Sequence, residues 1–152
     1  MSTYVTASPV PLFDRLALPA SQSADGCLLD AEGLRASVLL DLSRLLNVRN
    51  ALSIEAFLQS EGTVLHYGLP DLLSLSSQSD ADLKRLAEVV AHGIALYETR
   101  LSQVQVKARP DPATHTGVRL SIAAAVSVGH QVCRVDFDLA PHEPLASSAS
   151  LA

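Results

Sequence analysis

The feature that most constrains this fold is a change of hydrophobic period within YETRLSQVQV, residues 97–106. Over residues 80–97 the apolar side chains recur at helical spacing, whereas from residue 104 they alternate as in a strand. Glu98 and Arg100 lie between the two patterns. The chain is therefore predicted to end a helix and begin a strand here, with opposite charges at the junction.

Two amphipathic helices are predicted. The first covers residues 30–47, where Asp30 can cap an apolar stripe that is rich in leucine. The second covers residues 80–97. Its start resembles a capping box, because Ser79 is followed three residues later by Asp82 in place of the usual Glu or Gln.

Three strands are predicted after the second helix. They cover residues 104–108, 118–128 and 131–139, and Gly129–His130 suits a two-residue hairpin turn between the last two. Alternating polarity gives the sheet one solvated face, so helices must cover the other. The predicted fold class is α+β, with two main helices packed on a small, mainly antiparallel three-stranded sheet.

The connector between the helices contains a turn with restricted geometry. Glycine admits a positive φ and proline fixes its own, so Gly68 and Pro70 favour a defined turn in YGLPDL. A short helical turn around Ala56–Gln59 is expected before it. The turn motif consists of Tyr67, Gly68, Leu69, Pro70, Asp71 and Leu72.

The 152 residues predict a single domain with unstructured ends. Residues 1–11 are expected to be a flexible N-terminal arm, residues 12–139 the domain, and residues 140–152 a disordered tail. LFDRLAL, residues 12–18, suits a short amphipathic turn.

Charge and composition exclude several classes of function. Eleven basic against sixteen acidic residues give a net charge of −5, which argues against a surface that binds nucleic acid. There is no apolar run of about 20 residues and no signal-peptide pattern at the start, so we expect an intracellular protein without direct membrane insertion. Cys27 and Cys133 are expected to be reduced thiols.

Glu98 and Arg100 are separated by two positions. Residues at this spacing share a side on an extended segment but not on a helix, so they can meet only if the helix has ended by about Glu98. Arginine near a helix C-terminus also complements the helix dipole and can bond the free carbonyl groups. This favours a structural role at the junction over a catalytic one.

Other groups of acidic residues and histidines are weaker candidates. Glu88 and His92 could offer two metal ligands on one helix face, but two ligands alone are a weak signal, and we interpret them as part of a solvated face. Asp136 and Asp138 share a strand face and could bind a cation. We interpret them instead as an acidic edge that discourages unwanted strand pairing.

An enzymatic function is not favoured by any motif. The sequence has no nucleophile elbow, glycine-rich phosphate loop or HExxH motif. A glycosidase needs two carboxyl groups across a cleft, and only Glu98 and Asp71 could be nominated for them. The sequence therefore predicts a non-catalytic interaction domain without cofactor or metal.

Five blocks, in the same order, resemble the TssE family of type VI secretion baseplate subunits, which is related to the small wedge protein of contractile phage tails. The blocks are LFDRL (12–16), SVLLDLSRLLNVR (37–49), VLHYGLPDL (64–72), IALYETRLSQVQV (94–106) and VDFDL (135–139). The family hallmark, Glu-Pro-Arg-Leu, maps onto Glu98, Thr99, Arg100 and Leu101.

The resemblance implies a structural protein in a cytoplasmic baseplate docked at an inner-membrane complex. Its implied partners are the baseplate proteins TssF, TssG and TssK and the TssB–TssC sheath, with the Hcp tube nearby. The implied fold is similar to the part of a sheath subunit that exchanges strands with its neighbours. Strand-edge pairing would then help to nucleate or anchor the sheath.

The sequence departs from the hallmark at Thr99. Proline there would disfavour helical geometry at Glu98, whereas threonine only tolerates extension, so the helix could run one residue longer. Three alternatives stay open: a baseplate subunit of a phage tail or extracellular contractile particle, a lysozyme-like cell-wall hydrolase, and an adaptor unrelated to tails.

Overall fold

The computed structural model describes residues 8–11, 16, 28–113, 117–128 and 131–139. The predicted hairpin turn at Gly129–His130, the tail from residue 140, and the LFDRLAL turn apart from Leu16 lie outside these residues. The predicted arm is described only from residue 8, where Ser8–Pro9 (β1) pairs antiparallel with Leu28–Leu29 (β2).

The first long helix, α1, covers Ala31–Asn47, and the second, α3, covers Asp80–Tyr97. As predicted, the Asp30 carboxylate caps α1 by accepting the Gly33 N–H at 2.8 Å. Only half of the predicted capping box forms on α3. Ser79 Oγ accepts the Asp82 N–H at 3.3 Å, but the Asp82 carboxylate accepts the Ser76 N–H at 3.0 Å. Aspartate is one methylene shorter than glutamate, and here its carboxylate binds the loop that precedes α3.

The sheet consists of β3 (Leu101–Pro110), β4 (Val118–Val128) and β5 (Gln131–Leu139), all antiparallel and in the order β3-β4-β5. The predicted α+β class, with helices covering one face of this sheet, is confirmed. β3 begins earlier than its predicted start at residue 104. A bulge between Ser102 and Gln105, with Gln103 at φ 52°, interrupts the alternation that marks a strand in the sequence.

The core lies between the helices and the inner face of the sheet. Leu42 of α1, Ile94 of α3 and Ile122 of β4 are each fully buried. No helix in the described part of the chain combines the length and apolar character that crossing a membrane requires.

The connector contributes a further wall of the core. Its short helix α2, Ile54–Leu58, begins two residues before the predicted turn because Ser53 Oγ caps it by accepting the Ala56 N–H at 3.2 Å. A 3-10 helix follows at Val64–His66. Phe57 and Leu69 anchor the connector, at 0% and 2% exposure.

Candidate functional site

The junction between α3 and β3 is short and well defined. The helix ends at Tyr97, and Glu98 adopts φ −112° and ψ 76° while its N–H still donates to the Ile94 carbonyl at 2.8 Å. Thr99 and Arg100 form a turn, which is closed by the Leu101 N–H donating to the Glu98 carbonyl at 3.1 Å. Threonine at position 99 therefore does not extend the helix.

The Glu98 and Arg100 side chains meet across this turn. Arg100 Nε donates to Glu98 Oε1 at 2.7 Å, and Arg100 Nη2 donates to Oε2. The Arg100 backbone N–H also donates to Oε1, at 3.2 Å. The carboxylate thus binds both the guanidinium fork and the backbone of the same residue, which fixes the shape of the turn.

A distant helix completes the cluster. Arg100 Nη2 also donates to Asp41 Oδ2 at 2.6 Å, and Nη1 donates to Ser37 Oγ at 3.0 Å. Both partners lie on α1, one helical turn apart, and Arg44 bonds the other Asp41 oxygen at 3.0 Å. We call Ser37, Asp41, Glu98 and Arg100 the junction cluster. It ties α1, α3 and the start of β3 together.

The junction cluster is mostly shielded from water. Glu98 is 6% exposed, and the Arg100 side chain is 25% exposed. The hydrogen bond that Arg100 donates to Glu98 is the main reason why the pKa of Arg100 lies above its ordinary value, against the opposing effect of burial. Within the described residues every buried side-chain polar atom has a hydrogen-bond partner. The cluster is therefore a satisfied ionic network.

The predicted turn motif lies against the same junction. The rings of Tyr67 and Tyr97 meet edge to face with centroids 5.2 Å apart, and Tyr97 Oη donates to the His66 carbonyl at 2.8 Å. Burial raises the pKa of Tyr67, and the nearby carboxylates of Asp41 and Glu98 raise it further. The fold thus brings together residues of two motifs that are separated by 31 positions in the chain, as in the bond between Tyr97 and His66.

Asn50 holds the turn motif in place. Its Nδ2 donates to the carbonyl groups of His66 and Gly68 at 3.1 and 3.0 Å, and its backbone N–H donates to Leu69 at 2.9 Å. Gly68 has φ +107°, as the prediction of a positive φ required. A Cβ there would lie 2.7 Å from the Val48 carbonyl oxygen, so a side chain is excluded.

Sequence reasoning did not find Ser37, Asp41 or Asn50. A signal for the first two exists, since they are polar, four residues apart and on one face of a leucine-rich helix. Their partner Arg100 is 59 residues beyond Asp41, so only the tertiary fold reveals the contact.

The other candidates do not converge on a site. The His92 ring packs edge to face on Phe57, with centroids 5.3 Å apart, and among the described residues no group of three metal-ligating side chains forms. Asp136 and Asp138 are exposed on β5, and Asp71 Oδ1 accepts the Leu73 N–H at 3.0 Å. Cys133 is a free thiol, and Cys27 lies outside the described residues.

Glu98 has the environment of a structural carboxylate. Both of its oxygens bind Arg100. The acid of a glycosidase, in contrast, faces a cleft together with a second carboxyl group. The geometry of the junction favours holding β3 in place over proton transfer.

Comparison with protein families gives a match that covers most of the described chain. The model of the baseplate wedge protein gp25 family matches residues 32–131, from the start of α1 to the start of β5. It includes the junction cluster and the turn motif, whereas the LFDRL and VDFDL blocks lie outside it. Neither the curated proteins nor the solved structures give a significant match.

The chain belongs to the baseplate wedge protein gp25 family. Members of this family are structural baseplate proteins, so the chain is assigned a structural role and interactions with other baseplate components.

Proposed function

We propose that the chain is a TssE-type subunit of a type VI secretion baseplate wedge, and that it helps to nucleate or anchor the contractile sheath by strand-edge pairing. Its relation to baseplate wedge proteins and its five TssE-like blocks support this proposal. The resemblance implies a handshake-like fold, one that exchanges strands with its neighbours, and a small antiparallel sheet with the two long helices packed on it supports this.

The observation that carries the proposal is the position of the junction cluster, whose Arg100 immediately precedes β3, a strand at the edge of the described sheet. Glu98 and Arg100 fix the turn from which β3 starts, and Asp41 ties that turn to α1. A strand that serves as a template for another chain needs a fixed register, because a shift of one residue exchanges its two faces. The junction cluster supplies that fixed starting point.

The proposed partners are TssF, TssG and TssK in the wedge and the TssB–TssC sheath, with Hcp nearby. The proposed location is a cytoplasmic baseplate docked at the inner-membrane complex. Affinity purification of the tagged chain from its native cell, followed by mass spectrometry, tests both statements. We expect TssF and TssG homologues to co-purify, and a preparation without any baseplate protein would contradict the proposal.

A second experiment tests the junction cluster itself. Glu98→Ala and Arg100→Ala are expected to abolish sheath assembly, which fluorescence microscopy of a labelled sheath subunit would detect. Arg44→Ala is the matched control, because Arg44 bonds the same Asp41 but its side chain is 53% exposed. Normal sheaths in both junction variants would remove the role assigned to the pair.

The related alternative, a subunit of a phage tail or extracellular contractile particle, predicts the same fold and the same strand pairing. Neighbouring genes distinguish the two. A sheath-recycling ATPase and membrane-complex genes indicate secretion, whereas tail-fibre and lysis genes indicate a particle.

A further inference from the structure

A groove runs beside β3, on the side of the sheet away from β4. It has a volume of about 290 Å³ and lies between the first turns of α3 and the middle of β3. Apolar side chains of Leu83, Ala87, Val106 and Ala108 line it. Its charged lining residues are Asp80, Lys84, Lys107 and Arg109.

The backbone of β3 presents unpaired groups to this groove. The Asp111 N–H donates to the Gly117 carbonyl at 2.9 Å, which sets the hydrogen-bonding phase of the β3–β4 ladder. The direction of the backbone N–H and C=O groups alternates along a strand. The backbone groups of Lys107 and Arg109 therefore bond β4, whereas those of Val106 and Ala108 point away from β4. In the described part of the chain, no hydrogen bond to other elements uses these outward groups.

The opposite edge of the sheet is obstructed. Arg35 of α1 donates from Nη2 to the Asp136 carbonyl on β5 at 3.1 Å, and its guanidinium carbon lies 5.8 Å from the centre of the Phe137 ring. An arriving strand would have to displace this arginine. Two exposed carboxylates, Asp136 and Asp138, also outnumber the one exposed guanidinium, Arg134, on β5, so this strand is slightly acidic.

The β3 edge carries the opposite charge. Lys84, Lys107 and Arg109 are exposed, and none of them takes part in an ion pair among the described residues. Arg109 also lies directly opposite Arg119 on β4. Arg119 has a carboxylate partner, because its Nη2 lies 3.5 Å from Asp111 Oδ1, whereas Arg109 has none among the described residues and could accept one from another chain. The groove therefore favours an acidic partner.

We propose that this groove accepts an extended segment of another subunit of the assembly, which adds to β3 as a fourth strand and alternates apolar and acidic side chains. The apolar residues face Leu83 and Val106, and the acidic residues lie on the solvent face beside Lys107 and Arg109. The inference rests on the proposed strand-edge function and specifies its edge and the chemistry of the incoming strand. Four groove residues of β3, 106–109, correspond to a paired length of roughly 13 Å.

The test places a photo-crosslinking amino acid at Lys107 of the full-length chain, expressed in its native cell. A second chain carries it at Arg134, an exposed position on the β5 edge. Irradiation is expected to crosslink the Lys107 variant to one baseplate or sheath subunit, at a segment that mass spectrometry maps as alternating apolar and acidic. Crosslinks to such a subunit from Arg134 alone, or to a basic segment, would overturn the inference.

A charge-reversed chain gives an independent measurement. Lys84→Glu, Lys107→Glu and Arg109→Glu together are expected to reduce recovery of the crosslinked partner at least about tenfold, by co-purification at low salt, since charge across an interface controls association. The melting temperature of this exposed-residue variant checks that it folds. Unchanged recovery would overturn the inference.

The two levels of proposal fail in different ways. If the unaltered chain co-purifies with no baseplate or sheath subunit, the proposed function is wrong and the inference falls with it. If it enters the baseplate but pairs through β5, only the choice of edge is wrong.

Discussion

The charged residues at the start of β3 and those along its outer edge differ in burial and in pairing. At the start, Glu98 and Arg100 are largely buried and bonded to each other and to Asp41. Along the outer edge, Lys84, Lys107 and Arg109 are exposed and have no ion-pair partner among the described residues. Satisfied charges inside the protein determine where the strand begins, whereas charges without an internal partner remain available for another chain.

The difference follows from the cost of desolvation. Removing one member of a buried ion pair leaves the other without compensation, at about 3–5 kcal/mol. Exposed charges already interact with water, so changing them affects stability by less than about 0.5 kcal/mol. Substitutions in the junction cluster should therefore lower the free energy of unfolding much more than substitutions of the exposed groove residues.

The largest effect is expected for Arg100→Ala. Glu98 would stay buried without its guanidinium partner, so the free energy of unfolding should fall by about 3 kcal/mol in chemical denaturation. Arg44→Ala removes an exposed partner of the same Asp41, whose loss should cost about 0–1 kcal/mol. Equal losses in the two variants would contradict the distinction between buried and exposed charge.

Gly68→Ala tests the turn motif, whose Tyr67 contacts Tyr97 at the end of α3. Its φ of +107° and the 2.7 Å approach to the Val48 oxygen predict a loss of about 1–3 kcal/mol in denaturant unfolding. Gly62→Ala is the control, because its φ of +75° is also positive but the atoms nearest to the new Cβ are side-chain atoms of Leu96, at 3.2 Å or more. A smaller loss at position 68 than at position 62 would contradict this account.

Thr99→Pro introduces the proline of the Glu-Pro-Arg-Leu pattern. Unlike the preceding substitutions, it is expected to stabilise the protein. Glu98 is already non-helical, at ψ 76°, so proline should mainly restrict the unfolded chain and stabilise the protein by about 0.4–1 kcal/mol. The measurement is the shift of the denaturation midpoint. Thr99→Ala, which lacks the ring, should not stabilise, and destabilisation by proline would show that the turn requires another geometry.

The pH dependence of stability should report on Tyr67. Its pKa is raised in the fold, so the protonated phenol favours the folded state. This contribution is fully present below the unfolded value of about 10 and is lost as pH rises through the higher folded value. As pH rises, the free energy of unfolding should therefore fall less steeply for Tyr67→Phe than for the wild type. Parallel pH curves for the two proteins would refute the assignment.

The smallest effect on stability is expected for Lys84→Glu combined with Lys107→Glu. Both side chains are exposed without internal ion pairs among the described residues, so the unfolding free energy should stay within about 0.5 kcal/mol of wild type. A loss of unfolding free energy comparable to that of Arg100→Ala would show that these lysines stabilise the fold, contrary to their proposed role in binding another chain.

Both long helices and all three strands of the sheet follow from hydrophobic period, because their buried faces repeat over many residues. The start of β3 does not, since its bulge breaks the alternation before Val104. The second half of the capping box was wrong because the Asp82 carboxylate bonds Ser76 instead. A local pattern identifies a helix or strand well, but it does not identify which of several nearby backbone N–H groups a short carboxylate will bind.

The junction shows the same limit for the candidate site. The spacing of Glu98 and Arg100 predicts that they meet where the helix ends, and the structure places them in contact. Asp41 and Ser37 bond Arg100 through long-range packing, for which the sequence carries only their spacing of four residues on α1.

The sequence by itself determined the element order, the α+β class, the helix end near residue 98 and the resemblance to a baseplate family, because these depend on period and local motif. Only the tertiary structure decided that Asp41 completes the ion pair, that Arg35 obstructs the β5 edge, and that the β3 edge opens on a basic groove. Contacts between residues far apart in the chain depend on how α1 and α3 pack on the sheet, and no local pattern encodes that packing.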